Sequence, residues 1–251
     1  MLPLIEVCVE GIDGLIAAEA AGADRVELCA SLLEGGLTPS IGTVKAALQL
    51  AKIPFYPIVR PRGGDFLYSE AEFLSMQADI AMFRELGVKG VVFGILTPDA
   101  RIDEARMRAL VEVAGDMDVT CHRAFDMTRD IAEAIEALIR AGVKRVLTSG
   151  QRDTGVEGIA NLRRTVDLAA GRLKVMACGA LVPDTIGRVR DETGAPELHF
   201  AALRTIPSGM TWANPEVGMG GTARSREYEL TVTDPGLAAA TIAAARAGVL
   251  S

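Results

Sequence analysis

Four times the chain ends a helix-like run on a glycine and passes almost at once into a strand. The junctions are Ala21-Gly22-Ala23-Asp24-Arg25-Val26, Leu86-Gly87-Val88-Lys89-Gly90-Val91, Ala141-Gly142-Val143-Lys144-Arg145-Val146 and Thr193-Gly194-Ala195-Pro196-Glu197-Leu198. A glycine just past a helix takes the left-handed conformation that closes the last turn, and Gly115 and Gly171 are placed to do the same. The spacing predicts strands at Leu4–Glu10, Arg25–Cys29, Phe55–Arg60, Gly90–Leu96, Val119–Phe125, Arg145–Ser149, Leu173–Ala177 and Glu197–Ala201. Helices are expected near 13–22, 41–51, 69–86, 103–114, 130–141, 158–170, 184–193 and 236–247. Strict alternation of this kind requires a parallel sheet with helical crossovers.

The two kinds of joint differ. Helix-to-strand joints are short, whereas strand-to-helix joints are longer and varied: Ala30–Pro39, Arg62–Tyr68, Thr97–Ile102, Gly150–Glu157 and Ala202–Thr233. Such asymmetry is expected of a (β/α)8 TIM-type barrel, whose functional face is built from the loops after the strands. A doubly wound open sheet is the alternative, but no GxGxxG follows the first strand, which removes its usual dinucleotide form. The 251 residues suit a single α/β barrel domain spanning 1–251, interrupted by a long loop at about 202–233. Ser69 with Glu72 reads as a capping box, and Thr38-Pro39 as a helix start with proline in the first turn.

Composition narrows the partners. A net charge of -7 argues against nucleic acid or an anionic membrane as the main partner. The N-terminus has no basic n-region, so no signal peptide is expected, and no uncharged apolar stretch is long enough to span a bilayer. Cys8, Cys29, Cys121 and Cys178 show no CxxC pairing, which fits free thiols in a reducing cytoplasm.

Barrel strands alternate between the helical shell and the interior. In Glu6-Val7-Cys8-Val9-Glu10 the valines should face the helices, leaving Glu6, Cys8 and Glu10 inside. By the same parity Glu27 and Cys29, Arg60 and Arg62, Thr120, His122 and Asp126, and Glu197 and His199 face inward. Both histidines of the chain therefore fall near strand ends on the inner face. Barrel interiors are ordinarily filled by branched aliphatics, so this polarity points to a ligand site. A second reading is a purely structural ion pair of Arg60 with Glu6 or Glu27. As chemistry, His122 oriented by Asp126 or Glu27 would carry a proton, with His199 and Glu6 beside it as further candidates.

The run Arg60-Pro61-Arg62-Gly63-Gly64-Asp65-Phe66 places two guanidiniums at a strand end followed by two glycines. Arginine is suited to two-pronged binding of carboxylate or phosphate, so Arg60 and Arg62 are expected to hold an anionic group, with Asp65 a further substrate-binding candidate. Thr148, Ser149 and Gly150 offer hydroxyls and a close backbone approach, and Cys178-Gly179-Ala180 occupies the usual phosphate position after strand seven. Cys8 and Cys29 lie on neighbouring strands about 5 Å apart, with the same parity. Such a pair suits Cu(I), a soft ion preferring sulfur, with Met210 or Met219 as a further ligand. The same cysteines also read as small buried hydrophobes. The loop holding Trp212, the chain's one tryptophan, is expected to be a lid or a subunit contact.

Several of these segments together resemble the CutC family, named for copper homeostasis. They are Glu6-Val7-Cys8, Gly22–Cys29 with Glu34-Gly35-Gly36-Leu37-Thr38-Pro39-Ser40, Val59–Phe66, His122-Arg123-Ala124-Phe125-Asp126 and Leu147-Thr148-Ser149-Gly150. The likeness runs over nearly the whole chain. It implies a cytoplasmic β/α barrel, usually a homo-oligomer (dimer or higher), with a copper-ion-binding role. Two departures stand out: Ala177-Cys178-Gly179-Ala180-Leu181 where the family tends to a glycine-rich run, and Phe200 after His199 where it tends to a small residue. The resemblance implies a CutC-type protein of copper homeostasis binding Cu(I) at the C-terminal face. The residue chemistry alone suits a barrel enzyme acting on a small phosphorylated or carboxylated metabolite, with His122 as acid/base and Arg60 and Arg62 as clamp. Sequence leaves both open.

Overall fold

The computed structural model describes residues 2–218 and 227–248. Eight parallel strands form the sheet: β1 Leu4–Glu10, β2 Arg25–Cys29, β3 Phe55–Pro57, β4 Gly90–Phe93, β5 Asp118–Cys121, β6 Arg145–Thr148, β7 Lys174–Ala177 and β8 Glu197–Phe200. The crossover helices are α1 Gly11–Ala20, α2 Ile41–Leu50, α3 Glu70–Glu85, α4 Glu104–Ala114, α5 Ile131–Ala141, α6 Ile159–Ala169, α7 Pro183–Thr193 and α8 Pro235–Arg246. Strand order is β3-β2-β1-β8-β7-β6-β5-β4. A bridge between Ile58 and Val92 and a hydrogen bond from Val59 N to Val92 O (2.7 Å) bring the two edges together. The result is a nearly closed eight-stranded barrel. No helix among the described residues is long and apolar enough to cross a membrane.

Alternation puts Val7, Val9, Val26, Leu28, Val91, Phe93, Val146 and Leu198 in the aliphatic layer between sheet and helices, where they are fully buried. Burying one such side chain stabilises by about 1.5–3 kcal/mol, so a one-residue slip of β1 or β2 would exchange that layer for charge. The interior face carries Glu6, Arg25, Glu27, Tyr56, Arg145, Glu197 and His199, all buried. Gly90 is there because the Tyr56 ring crosses the barrel over it: a Cβ at Gly90 would lie 2.6 Å from ring carbons.

Several element ends differ from the expected ones. β5 stops at Cys121, because Arg123–Met127 turn into a short 3-10 helix whose first free N–H, that of Ala124, is capped by His122 Nδ1 at 3.2 Å. β3 and β4 also end early, Pro57 being the last ladder residue of β3. The capping box at Ser69 and Glu72 is formed. Pro39, however, precedes α2 rather than entering it, since Ser40 is the N-cap and its Oγ accepts from Thr43 N at 3.1 Å. Within the long segment after β8, β9 (Leu203–Pro207) and β10 (Glu229–Thr233) pair antiparallel.

Candidate functional site

A cavity of about 470 Å³ opens at the C-terminal ends of the strands, and Cys8, Glu27, Arg60, His122, Asp126 and His199 all contribute to its wall. Seven of the eight strands deliver a lining side chain from their ends, β4 being the exception. The expected convergence is thus present for these six residues, although Asp126 reaches the wall from a 3-10 turn and not by strand parity. Glu6 lies beneath them, fully buried.

Beneath the cavity runs an ion network. Arg25 pairs with Glu6, donates to Glu197 Oε2 (2.7 Å) and approaches Met176 Sδ (3.4 Å). Arg145 donates to both oxygens of Glu197 (2.5 and 3.2 Å) and to Thr120 Oγ1 (3.2 Å). Both guanidiniums lie near the face of Tyr56, 5.0 and 5.8 Å from its centroid, while the Tyr56 hydroxyl donates to Asp118 at 2.9 Å. Glu6 of β1 and Glu197 of β8 are therefore neutralised by Arg25 and Arg145. The expected partner, Arg60, makes no ion pair with Glu6 or Glu27. Arg25 and Arg145 were legible in principle, since Arg25 shares the parity of Glu27 and Val146 is a shell residue.

His199 joins this network to the cavity. Its Nδ1 lies 2.8 Å from Glu6 Oε1 and its Nε2 3.7 Å from Glu27 Oε2. Burial opposes its charge, but the Cys8 thiol and the carboxylates of Glu6 and Glu27 outweigh that and lift its pKa to about 10. Burial would likewise raise Glu6, yet Arg25 and His199 hold it down at about 2. Glu27, with no arginine in hydrogen-bonding contact, is raised by burial. At neutral pH His199 is thus a buried imidazolium beside the Glu6 carboxylate.

Above Glu27 sit the two thiols, with Cys8 Sγ 3.8 Å from Cys29 Sγ. One donor atom from each of Cys8, Glu27 and Cys29 lies within 4.8 Å of the others. The hydrogen bond from Cys29 and burial push the Cys8 thiol well up. For Cys29 the bond from Cys8 acts downward, but burial and the Glu27, Glu6 and Glu10 carboxylates raise it to about 11. Gly36 permits this arrangement, because a Cβ there would come 3.0 Å from Cys29 Sγ. Of the methionines considered as ligands, Met210 is 66% exposed and Met219 lies outside the described residues.

His122 is placed differently from the proton carrier expected. Neither Asp126 nor Glu27 hydrogen-bonds it. With Nδ1 accepting from Ala124 N, the neutral ring keeps its proton on Nε2, and that atom is buried without a partner. Burial and the nearby Arg60 charge push its pKa down to about 3, so at neutral pH it donates rather than shuttles. Asp126 is instead committed to the end of β6. It accepts from Thr148 Oγ1 (2.5 Å), Ser149 N (3.0 Å), Ser149 Oγ (2.9 Å) and Gln151 N (3.1 Å), and pairs with Arg123 Nε (2.8 Å). The 3-10 turn after His122 breaks the strand parity that had grouped Asp126 with it.

The Arg60–Asp65 run splits in two. Arg60 is buried and its guanidinium donates to the carbonyls of Glu34 (2.5 Å), Gly36 (3.1 Å) and Gly64 (2.9 Å). Arg62 turns away from the cavity, its Nε donating to Glu72 (2.6 Å) and its Nη2 to Asp65 (3.0 Å) and the Leu67 carbonyl (2.8 Å). Asp65 follows it outward. The reason is Pro61-Arg62-Gly63-Gly64, which leaves the strand as a bend, with Gly64 at φ +78°. Arg123, not singled out as a site residue, lines the cavity together with Cys178, Gly179 and Ala180 from the loop after strand seven.

The CutC family model matches residues 3–204. A family protein CutC of Mesorhizobium japonicum is 63% identical over 98% of this chain and 95% of its own. The human copper homeostasis protein cutC homolog is 43% identical over 92% of this chain and 85% of its own. Among solved structures, that of a CutC protein from Streptococcus agalactiae superposes with a TM-score of 0.75 at 31% identity, covering 79% of this chain and 98% of the other.

Proposed function

The chain belongs to the CutC family, and on that premise we propose that it is a cytosolic copper-homeostasis protein binding Cu(I) through Cys8 and Cys29 at the barrel mouth. The observation that carries this reading is the 3.8 Å separation of the two sulfurs beside Glu27. An ion held about 2.3 Å from each of two thiolates, as zinc is, requires sulfurs no more than about 4.6 Å apart. The donor set fits: two thiolates are the soft ligands that favour Cu(I). Cys8 and Cys29 would hold the ion, and the His199 imidazolium, which interacts with Cys8 and Glu27, would offset the negative charge of the two thiolates. Relatives bearing the name copper homeostasis protein support the assignment.

Both thiols are protonated in the ion-free protein at neutral pH, so binding must release protons and affinity should rise between roughly pH 6 and pH 9. Anaerobic titration against a chromophoric Cu(I) chelator checks this. Wild type should compete with the chelator, and Cys8→Ser/Cys29→Ser should lose at least about tenfold in affinity, ~1.4 kcal/mol. Equal affinity in the two proteins removes these thiols as ligands and the proposal with them.

A further inference from the structure

A metal ion fills only a corner of a cavity of about 470 Å³, and the opposite wall has a different chemistry. Arg60 is buried, yet every partner of its guanidinium is a backbone carbonyl. It forms no ion pair with any carboxylate among the described residues, and its Nε has no partner at all. A buried charge left without a counter-charge is costly. Phe66, 5.2 Å beneath the Arg60 guanidinium and 4.8 Å from the His122 ring, holds the two side chains together. His122 lines the same cavity, and its Nε2 is buried without a partner.

Arg123 completes the wall. Its Nε is fixed on Asp126 and its Nη2 on Ser149 Oγ (2.7 Å) and the Arg152 carbonyl (3.2 Å), whereas Nη1 has no partner among the described residues. The guanidinium is therefore held in place with one donor to spare, which is the pre-organisation that makes anion binding effective. Of the acids on the cavity, Glu27 faces His199, and Glu34 directs its carboxylate over Gly63, where a Cβ would come within 2.3 Å of its Oε2. Asp126, the third acid on the wall, pairs with Arg123, and none of the three forms an ion pair with Arg60.

We infer that the barrel mouth binds a small organic anion, a carboxylate or phosphate compound, whose charge answers Arg60 and whose oxygens accept from the spare Nη1 of Arg123 and from His122 Nε2. The site is separate from the thiol pair and does not depend on copper. It also differs from the clamp expected from sequence, because Arg123 takes the place of Arg62.

Calorimetric titration of the full chain, with a copper chelator present, tests this using malonate, 2-phosphoglycolate and inorganic phosphate. At least one of the two organic probes should bind more tightly than inorganic phosphate. Arg60→Gln and Arg123→Gln should each weaken that binding by at least about tenfold, while Arg62→Gln, outside the cavity, should not. Because Arg60→Gln can fail to fold, the His122 Nε2 resonance of ¹⁵N-labelled wild type provides a second readout and should move on addition of the probe. Absence of binding to wild type at tens of millimolar, an Arg62→Gln loss equal to that of Arg123→Gln, or an unmoved His122 resonance each overturns the inference. A response in malonate alone or phosphoglycolate alone identifies the anion class.

Discussion

Glu197 is the single acceptor shared by both interior arginines, so its neutralisation should be among the most damaging isosteric changes in the chain. It receives charge-assisted bonds of 2.7, 2.5 and 3.2 Å from Arg25 and Arg145, and all three residues are buried. In Glu197→Gln the amide keeps the volume but loses the charge, and its NH₂ would point at a guanidinium. Arg25 would retain Glu6, whereas Arg145 would keep Thr120 Oγ1 at 3.2 Å, the Tyr56 ring face and, as its one carboxylate, Asp118 at 4.0 Å. Breaking one member of a buried ion cluster costs about 3–5 kcal/mol. For a chain of this size that corresponds to a melting-temperature drop of roughly 6–20 °C. Urea unfolding of Glu197→Gln beside Glu136→Gln provides the control. Glu136 pairs with Arg172 on the surface, where both side chains are nearly half exposed, and its loss should cost less than about 1 kcal/mol. If the two variants lose the same stability, the barrel floor is not an ion network that folding depends on.

Gly90→Ala should destabilise by about 1–3 kcal/mol through overpacking, since the new Cβ meets a Tyr56 ring held by Arg25, Arg145 and Asp118. Combining it with Tyr56→Leu should cost less than the sum of the single changes, and strict additivity in thermal melts would disprove the clash. Stability should peak between about pH 4.5 and 6.5 and fall on both sides. On the acid side Glu6, lowered from 4.5 to about 2, loses its contribution as pH falls from 4.5 towards 2. His122, lowered from 6.5 to about 3, disfavours the folded state increasingly as pH falls from 6.5 towards 3. On the alkaline side His199, raised from 6.5 to about 10, contributes fully below 6.5 and loses that contribution as pH rises towards 10, and the raised Glu27 acts in the same direction. Denaturation midpoints measured across this range should trace that dome, and stability still climbing above pH 8 would contradict the His199–Glu6 pairing.

Local chemistry was enough to specify the eight-fold alternation, because helix-closing glycines, capping residues and the two-residue period of strands all act within a few positions. Parity also placed Glu6, Cys8, Glu27, Cys29, His122 and His199 on one inner surface, since inside a strand orientation follows from position alone. The same reasoning failed where the backbone leaves the strand. Asp126 lies beyond a 3-10 turn, and Arg62 and Asp65 beyond a proline–glycine bend, so counting by twos no longer says where a side chain points.

Only the closed barrel decides which charges meet. Glu197 and Arg25 are 172 positions apart in sequence, yet they share a bond because β8 adds beside β1 to complete the ring. Likewise, Arg60 is left without a carboxylate because Arg25 and Arg145 have taken Glu6 and Glu197, while Glu27 faces His199. Residue types and their facing are thus written along the chain, but partnership depends on strand neighbours that closure alone creates. That pairing determines whether a buried group is satisfied or stands ready for a ligand.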